Sequence, residues 1–355
     1  MVRLSLCMIV KDEERNLAKC LASVQGLVDE IILVDTGSTD ATTEIATKYG
    51  AKLYDFAWCD DFAAARNESL HYATGEWILV LDADETLAQC DHKSILKALS
   101  SYPKDAFVLI LRNYTNDSTA AGWVSSRHDQ YHESKVASGW WVVPKIRLFR
   151  STPRIRYQGR VHESVRGSVQ PERIGTLDVV IHHYGKLDHS RLKEKNILYE
   201  KMGEHKLVEE NDAYTHLELG RQYIHNEKLA EAIRALERSI QLNSDIAESW
   251  FMLGSVNLMT GKLDLAQEQL IRARTLDATY APIYLNLGVV YARKKEYQKA
   301  IPYFLRSIKL NPQNATAFKN LGVCFDEVGD RQGAYEAFKR ALELNPTYSR
   351  TIQLG

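Results

Sequence analysis

Acidic residues directly follow three short apolar runs in the first half of this chain. The residues that share this position are Asp12, Glu13, Asp35, Asp82 and Asp84. Mg²⁺ and Mn²⁺ are usually held by one or two carboxylates together with substrate phosphates, and such an ion neutralises a diphosphate leaving group. Asp82 and Asp84 therefore form a candidate Mn²⁺ or Mg²⁺ site. A solvated turn with a helix-capping Asp is the alternative interpretation of this pair.

Alternating strands and helices must position these carboxylates. Segments of helical spacing separate four apolar runs of strand type, at 4–10, 30–34, 52–55 and 77–81. This alternation predicts an α/β domain with a mostly parallel sheet and right-handed crossovers. Ligands bind at the carboxyl ends of the strands in such sheets. The acidic residues are therefore expected to meet at one crevice.

Four sequence motifs in the first half resemble one known enzyme family. CMIVKDEE (7–14), VDTGSTD (34–40) and LDADE (81–85) resemble glycosyltransferase family 2. DDFAAARN (60–67) is similar to a subgroup of that family with tetratricopeptide (TPR) tails, to which the S-glycosyltransferases of glycosylated bacteriocins look related. The resemblance covers roughly residues 3–190. It implies the Rossmann-like GT-A fold and a nucleotide-sugar donor, and it leaves the acceptor open.

The resemblance also implies roles for the acidic residues. Asp35 would contact the base of the donor through uracil N3–H, for which a carboxylate is a suitable acceptor. Asp12 or Glu13 would line the same pocket. Asp82 would reach the ribose or the metal ion, and Asp84 would bind the metal ion.

Two basic side chains complete the expected donor site. Arg66 would approach the diphosphate, because its guanidinium group matches phosphate oxygens. A helix-surface ion pair with Asp61 or Glu68 is the alternative. His183 lies in IHHYG (181–185), which resembles the I-x-H-Y-G pattern of the subgroup. The resemblance implies that His183 is a metal ligand or a phosphate partner.

An inverting transfer also needs a carboxylate that takes a proton from the attacking acceptor. Glu163, in the segment 157–163, stands where many family 2 enzymes carry an acidic base. We therefore expect Glu163 to be this base. A structural ion pair with Arg160 or Arg166 is the alternative.

A long polar segment, 113–141, precedes the predicted base and has no strand or helix periodicity. Such segments within compact domains are usually functional lids or disordered. Trp123, Trp140 and Trp141 are candidates to cover the donor or the acceptor by stacking on sugar rings. A flap that packs on the sheet would use the same aromatic residues. The following KIRLFR (145–150) resembles the strand before the base loop in family 2.

The second half of the chain is periodic. Leu-Gly pairs recur every 34 residues, at 219–220, 253–254, 287–288 and 321–322. This is the TPR spacing, and it predicts an all-α solenoid whose helical hairpins stack because one hairpin cannot bury its own face. The predicted repeats are 213–246, 247–280, 281–314 and 315–348. Their concave surface is expected to bind a peptide or to form a homodimer interface, and a purely spacing role is the alternative.

The predicted organisation is therefore a glycosyltransferase domain at 1–190, a connecting helix at 191–210 and a repeat region at 211–355. The formal net charge of −1 indicates no general attraction to nucleic acid or membranes. No apolar stretch approaches the ~18 residues of an integral membrane segment. Five cysteines without a CxxC pair favour a reducing compartment. A cytoplasmic location is the expectation.

The resemblance to family 2 implies metal-dependent transfer of a hexose or N-acetylhexosamine from a UDP-sugar, and the TPR repeats favour a peptide or protein side chain as the acceptor. A polysaccharide or a lipid-linked glycan is the alternative acceptor. A non-catalytic TPR scaffold is a second hypothesis, but it is expected to have lost the acidic positions. A nucleotidyltransferase would need a Gly-rich loop after the first strand, where this chain has KDEE (11–14).

Overall fold

The computed structural model describes residues 3–101, 103–118, 122–161 and 163–350. The end of the predicted repeat region, 351–355, lies outside these residues. The chain forms two compact units. The first comprises 1–116 and 126–189, and the second comprises 117–125 and 190–355.

A mixed β-sheet forms the centre of the first unit. The strands of the chain are β1 Leu4–Val10, β2 Glu30–Asp35, β3 Lys52–Asp55, β4 Trp77–Val80, β5 Glu85–Leu87, β6 Ala106–Thr115, β7 Val124–Ser125, β8 Gly139–Arg150 and β9 Ile174–His183, and β7 consists of residues of the second unit. Their order is β3-β2-β1-β4-β8-β6-β9-β5, and the two-residue β7 is off this path. The α/β fold expected from the sequence is confirmed.

The predicted parallel arrangement holds for one half of this sheet. β3, β2, β1 and β4 are mutually parallel. β8 is antiparallel to both β4 and β6, and β5 is antiparallel to β9, whereas β6 and β9 are parallel. The expectation of a mostly parallel sheet is therefore too simple, because it rested on the strand–helix alternation of the first 81 residues alone.

Short helices cover the sheet. They are α1 Leu17–Ser23, α2 Thr42–Lys48, α3 Phe62–His71 and α4 His92–Ser101. Helices α2 and α3 pack on the parallel half of the sheet, α1 contacts β5, and α4 packs on β9. Helix α3 begins after Asp61, whose carboxylate accepts a hydrogen bond from the backbone N–H of Ala64. Leu17 and Leu21 of α1 pack with Leu6 and Leu79 in a core without solvent exposure. These contacts hold the strand ends that carry the acidic residues.

The segment 113–141, predicted to lack regular structure, has strands at both ends. Asn113 pairs with Trp141 and Tyr114 pairs with Trp140 in the antiparallel β6–β8 ladder. The prediction was wrong at these ends because cross-strand pairing between distant residues leaves little local periodicity. The part outside the two long strands is 116–138.

The second unit is helical. Its helices are α5 His189–Glu209, α6 Ala213–His225, α7 Leu229–Leu242, α8 Ala247–Met259, α9 Leu263–Leu276, α10 Ala281–Arg293, α11 Tyr297–Leu310, α12 Ala315–Glu327 and α13 Arg331–Leu344. The Gly of each Leu-Gly pair faces a large side chain of the next helix. A Cβ added to Gly254 would lie 2.8 Å from Leu270, and one added to Gly288 would lie 2.6 Å from the Phe304 ring. Close helix approach therefore explains the 34-residue signal.

Candidate active site

The carboxyl ends of β1 and β2 are joined by a network of polar contacts. Asp35 is almost fully buried, and its carboxylate accepts hydrogen bonds from Ser38 Oγ (2.5 Å), Ser38 N (3.0 Å) and Gly37 N (3.2 Å). Asp12, at a φ of 51°, donates its backbone N–H to Ser38 Oγ and accepts from Thr39 N at 2.8 Å. Asp12 and Asp35 therefore both contact the loop that follows β2.

Glu13 lies on the helical side of this turn. Its backbone N–H donates to Thr42 Oγ1 at 2.6 Å, and its Oε2 accepts from Asn16 Nδ2 at 3.0 Å. These contacts connect the start of α1 to the start of α2. They place Glu13 beside the predicted base pocket and leave its role there a prediction.

Asp82 follows β4 and binds two arginine side chains. Its Oδ1 accepts from Arg66 Nη2 at 2.6 Å, and its Oδ2 accepts from Arg147 Nη2 at 3.0 Å. Both arginines are buried, whereas the Asp82 side chain is 34% exposed. The partly exposed carboxylate therefore contacts two buried guanidinium groups.

Arg66 extends from α3 to a third element. Its Nε donates to Glu163 Oε1 at 2.5 Å. Burial disfavours the charge of Arg66, but Asp82 and Glu163 outweigh this effect and hold its pKa well above the usual value. The alternative of a surface ion pair with Asp61 or Glu68 is wrong, because Arg66 turns inward. Nη1 of Arg66 is buried and has no hydrogen-bond partner within the described part of the chain.

Arg147 and Glu85 belong to this network, although the sequence analysis assigned them no role. Arg147 Nη2 donates to Glu85 Oε1 at 2.7 Å, and Glu85 Oε2 accepts from the backbone N–H of Asp82 at 2.9 Å. Burial raises the pKa of Glu85 despite the neighbouring guanidinium. Arg147 Nε is another buried donor without a partner among the described residues. The sequence feature that could have indicated a role for Arg147 is its position as a charged residue within the otherwise apolar run 146–149.

Asp84 and His183 meet at the end of β9. His183 pairs with Glu85 in the β5–β9 ladder, which brings His183 Nε2 to 3.3 Å from Asp84 Oδ2. Gly185 leaves room for this pair, since a Cβ there would lie 2.1 Å from Asp84 Oδ2 and 2.8 Å from His183 Nε2. The two predicted ligands therefore lie together in a space that only glycine leaves open.

Asp84 and His183 are the residues that would hold a divalent ion arriving with its substrate. Within the described ranges, no group of three or more His, Cys, Asp or Glu residues is placed to hold a metal ion. Mg²⁺-type sites commonly use one or two protein ligands and complete their coordination with substrate phosphates and water. Asp84 would supply the carboxylate of such a site, and His183 would add an imidazole ligand.

Helix α3 holds the segment that contains Glu163. Asn67 Nδ2 donates to the Tyr157 carbonyl at 3.0 Å, and its Oδ1 accepts from Tyr157 N at 2.9 Å. The Phe62 N–H at the start of α3 donates to the Arg160 carbonyl at 2.9 Å. The Glu163 side chain is 14% exposed, and its Oε2 has no hydrogen bond among the described residues. One carboxylate oxygen is therefore oriented by Arg66 and the other is available.

Comparison with protein families identifies both parts of the chain. Residues 5–156 match the glycosyl transferase family 2 model, and residues 217–281, 281–314 and 315–348 match tetratricopeptide repeat models. The N-terminal part is a family 2 glycosyltransferase domain. TPR repeats follow it. Glu163 and His183 lie beyond the matched residues, so their assignment to the site rests on the geometry above.

Curated relatives resemble part of the chain. A TPR repeat-containing protein of Synechococcus elongatus is 42% identical over 193 residues, which is 52% of this chain and 43% of the relative. The SPbeta prophage-derived glycosyltransferase SunS of Bacillus subtilis is 29% identical over 157 residues, which is 44% of this chain and 33% of SunS. The chain thus spans less than half the length of these relatives.

A solved structure also resembles part of the chain. The crystal structure of MamA is 29% identical, with a TM-score of 0.41, and covers 46% of this chain and 96% of that chain.

The two adjacent histidines, His182 and His183, have different surroundings. His182 is fully buried, its Nδ1 lies 2.7 Å from Tyr114 Oη, and burial lowers its pKa to about 3. His182 is therefore a neutral core residue. His183, only partly buried, is the histidine that meets Asp84.

The predicted aromatic cover residues are mostly buried. Trp140 packs with Tyr114 and Ala137 in a small core of the family 2 domain, and the Arg112 guanidinium lies 4.4 Å from its ring centroid. Trp141 is half-buried. Trp123, in the second unit, is 5% exposed. Stacking of these rings on a sugar stays a prediction, and Trp141 has the most accessible ring of the three.

Among the described residues, no helix is long and apolar enough to cross a membrane.

Proposed function

We propose that the family 2 domain transfers a hexose or N-acetylhexosamine from a UDP-sugar to an acceptor. One observation carries this proposal: Arg66 Nη1 and Arg147 Nε are buried donors without partners among the described residues, beside the Asp82 carboxylate. Unpaired buried N–H groups are costly, so a ligand that accepts hydrogen bonds from them gains binding energy. A diphosphate supplies such acceptors with the matching charge.

Asp84 and His183 are the residues that we propose to hold a divalent ion, Mn²⁺ or Mg²⁺. When bound, the ion supplies positive charge that neutralises the departing diphosphate. Asp82 has each oxygen hydrogen-bonded to an arginine. Of its two predicted roles, contact with the donor ribose therefore fits better than metal ligation.

Asp35 is proposed to recognise the donor base. A carboxylate has about four acceptor sites. Three hydrogen bonds from Gly37 and Ser38 already orient the Asp35 carboxylate. One acceptor site remains for an imide N–H such as uracil N3–H. Asp12 and Glu13 border the same turn, which supports their predicted place in the pocket.

Glu163 is proposed to be the general base. Its Oε2 takes the proton of the acceptor nucleophile while the nucleophile forms a bond to C1 of the sugar. The bond from C1 to the diphosphate breaks, and both of its electrons leave with the diphosphate. Attack from the face opposite the leaving group inverts the anomeric centre. Arg66 orients Glu163 through Oε1.

The TPR region supports a polypeptide acceptor. Stacked helical repeats present extended surfaces for partner chains, and Tyr214 and Met259 are 61% and 60% exposed on their helices. A homodimer interface is the alternative use of such a surface. All five cysteines are free thiols, which supports the expected cytoplasmic location.

Turnover of a panel of nucleotide sugars with Mn²⁺ tests the proposed reaction. Release of nucleoside diphosphate is measured for the full chain and for Asp84→Asn and Glu163→Gln, with the exposed Asp178→Asn as a charge-matched control. We expect turnover of one UDP-sugar, lost in Asp84→Asn and retained in the control. Glu163→Gln is expected to keep UDP binding and to lose transfer. If the full chain shows no turnover and no Mn²⁺-dependent nucleotide binding, the result would favour a non-catalytic scaffold.

A further inference from the structure

We propose that Asn113 is a positioning residue that fixes the tautomer of His183, so that the Nε2 lone pair of His183 faces the divalent ion. This inference rests on the proposed metal-dependent function and deepens it. It concerns a residue of β6 that neither the sequence motifs nor the family match assigns to the site.

Strand register places the two residues side by side. Asn113 and His183 are direct partners in the parallel β6–β9 ladder. His183 Nδ1 lies 2.7 Å from Asn113 Oδ1. Asn113 is 4% exposed, so water competes little for this hydrogen bond. The contact is built into the sheet and does not depend on a mobile surface side chain.

The chemistry of the two groups determines the position of the proton. A carbonyl oxygen accepts hydrogen bonds only, so the Nδ1 that binds Asn113 Oδ1 must carry the hydrogen. In a neutral imidazole the other nitrogen, Nε2, then carries a lone pair. That nitrogen lies 3.3 Å from Asp84 Oδ2. Two lone-pair atoms so close together repel each other unless a metal ion or a proton lies between them.

The opposite amide orientation would give the opposite tautomer. If Asn113 Nδ2 faced His183, it would donate to Nδ1, and Nε2–H would point at Asp84 and could not bind a metal ion. Metal-binding histidines usually donate their second ring N–H to a carbonyl or carboxylate, and loss of that partner typically weakens metal affinity 10- to 100-fold. The orientation with Oδ1 towards His183 is therefore the one that prepares a ligand.

Variants of Asn113 test this inference without an activity measurement. The Mn²⁺ dissociation constant is measured in the presence of UDP by the electron paramagnetic resonance signal of free Mn²⁺. We expect roughly 10- to 100-fold weaker binding in Asn113→Ala. Asn113→Asp presents oxygen atoms in either orientation and is expected to bind Mn²⁺ at least as tightly as the natural chain. Tyr114→Phe, which removes the partner of His182, is the control and should leave Mn²⁺ affinity unchanged.

A second readout reports the tautomer itself. The ¹⁵N shifts of the His183 ring, recorded without metal at a pH where the imidazole is neutral, should show a protonated Nδ1 and an unprotonated Nε2. A protonated Nε2, or equal Mn²⁺ affinity in the natural chain and Asn113→Ala, would overturn this inference alone. If the natural chain binds no Mn²⁺ with UDP, the proposed metal site fails and this inference fails with it.

Discussion

Arg66 Nε lies 2.5 Å from Glu163 Oε1, and the two residues are 97 positions apart in the sequence. The same guanidinium group donates from Nη2 to Asp82. One buried side chain of α3 therefore connects the end of β4 to the segment proposed to carry the base. This arrangement couples the orientation of the base to the site where the donor is proposed to bind.

Replacement of Arg66 should weaken both folding and nucleotide binding. Arg66→Ala leaves two neighbouring carboxylates without their shared counter-ion, and loss of one partner of a buried ion pair costs about 3–5 kcal/mol. Arg66→Lys keeps the charge but has no planar fork to reach both carboxylates, so an intermediate loss is expected. Urea unfolding and calorimetric titration with UDP measure the two effects. Natural-like stability and UDP affinity in Arg66→Ala would exclude this role.

Gly185→Ala should disrupt the metal pair. The added Cβ would lie 2.1 Å from Asp84 Oδ2, which must move away from His183. We expect Mn²⁺ affinity, measured with UDP present, to fall at least 10-fold.

Gly167→Ala is the matched control, because its added Cβ meets only the flexible end of the Gln158 side chain. Circular dichroism checks that both variants fold. Unchanged Mn²⁺ affinity in a folded Gly185→Ala variant would show that Asp84 and His183 do not share an ion.

Because of Glu30, the first unit should become less stable as the pH falls. Burial alone would raise its pKa, but hydrogen bonds from Lys52, Ser5 and Thr74 outweigh this and lower it to about 2 from 4.5. A carboxylate with a lowered folded-state pKa stabilises the fold above its unfolded-state pKa and loses this contribution as the pH falls towards 2. At 1.36 kcal/mol per pH unit, this lowering sets an upper limit of about 3–4 kcal/mol at pH 7, and solvent screening at the half-exposed Lys52 makes the contribution smaller.

Glu30→Gln tests this dependence. In urea unfolding, the stability gap between the natural chain and Glu30→Gln should be widest at pH 7 and should narrow between pH 5 and pH 2. Glu76→Gln, at an exposed carboxylate nearby, serves as the control. A gap that stays constant with pH would contradict the prediction.

Gly288→Ala should destabilise the repeat region. Its added Cβ would lie 2.6 Å from the ring of Phe304, which has no solvent exposure and little freedom to move. Overpacking of this kind costs roughly 1–3 kcal/mol. In Gly203→Ala the nearest atom is the end of Leu219 at 3.2 Å, and Ala favours the helix by about 1 kcal/mol. Thermal unfolding should therefore separate the two variants, and equal melting temperatures would contradict the packing account.

The sequence predicted those parts of the fold whose signal is local. Apolar runs that end in acidic residues identified β1, β2 and β4, and the 34-residue period identified the helical repeats. The antiparallel half of the sheet was not predictable in this way. Asn113 and Trp141 pair across β6 and β8, but the polar sequence around them has no strand periodicity and therefore predicts a loop.

Asp82, Asp84 and Arg66 were predicted site residues. The ion-pair partners of Arg66 and the presence of Arg147 and Glu85 in the site were not predicted. Asp82 and Asp84 follow a buried strand, so their location could be inferred. The ion-pair partners of Arg66 could not be inferred, because its position on a helix favours close neighbours such as Glu68. The partners in the structure are Asp82 and Glu163, which are 16 and 97 residues away. Arg147 gave only the weak signal of one charge within an apolar strand.

Calorimetric titration of the full chain with UDP, with and without Mn²⁺, tests the central claim most directly. The experiment is repeated with Asp84→Ala and with the exposed Asp178→Asn as the control. The account predicts that UDP binding requires Mn²⁺ in the natural chain and in the control. In Asp84→Ala, most of the UDP affinity should be lost, and the remaining binding should no longer depend on Mn²⁺. UDP binding that is equally tight without Mn²⁺ and in Asp84→Ala would contradict a metal-dependent nucleotide-sugar site at Asp84 and His183.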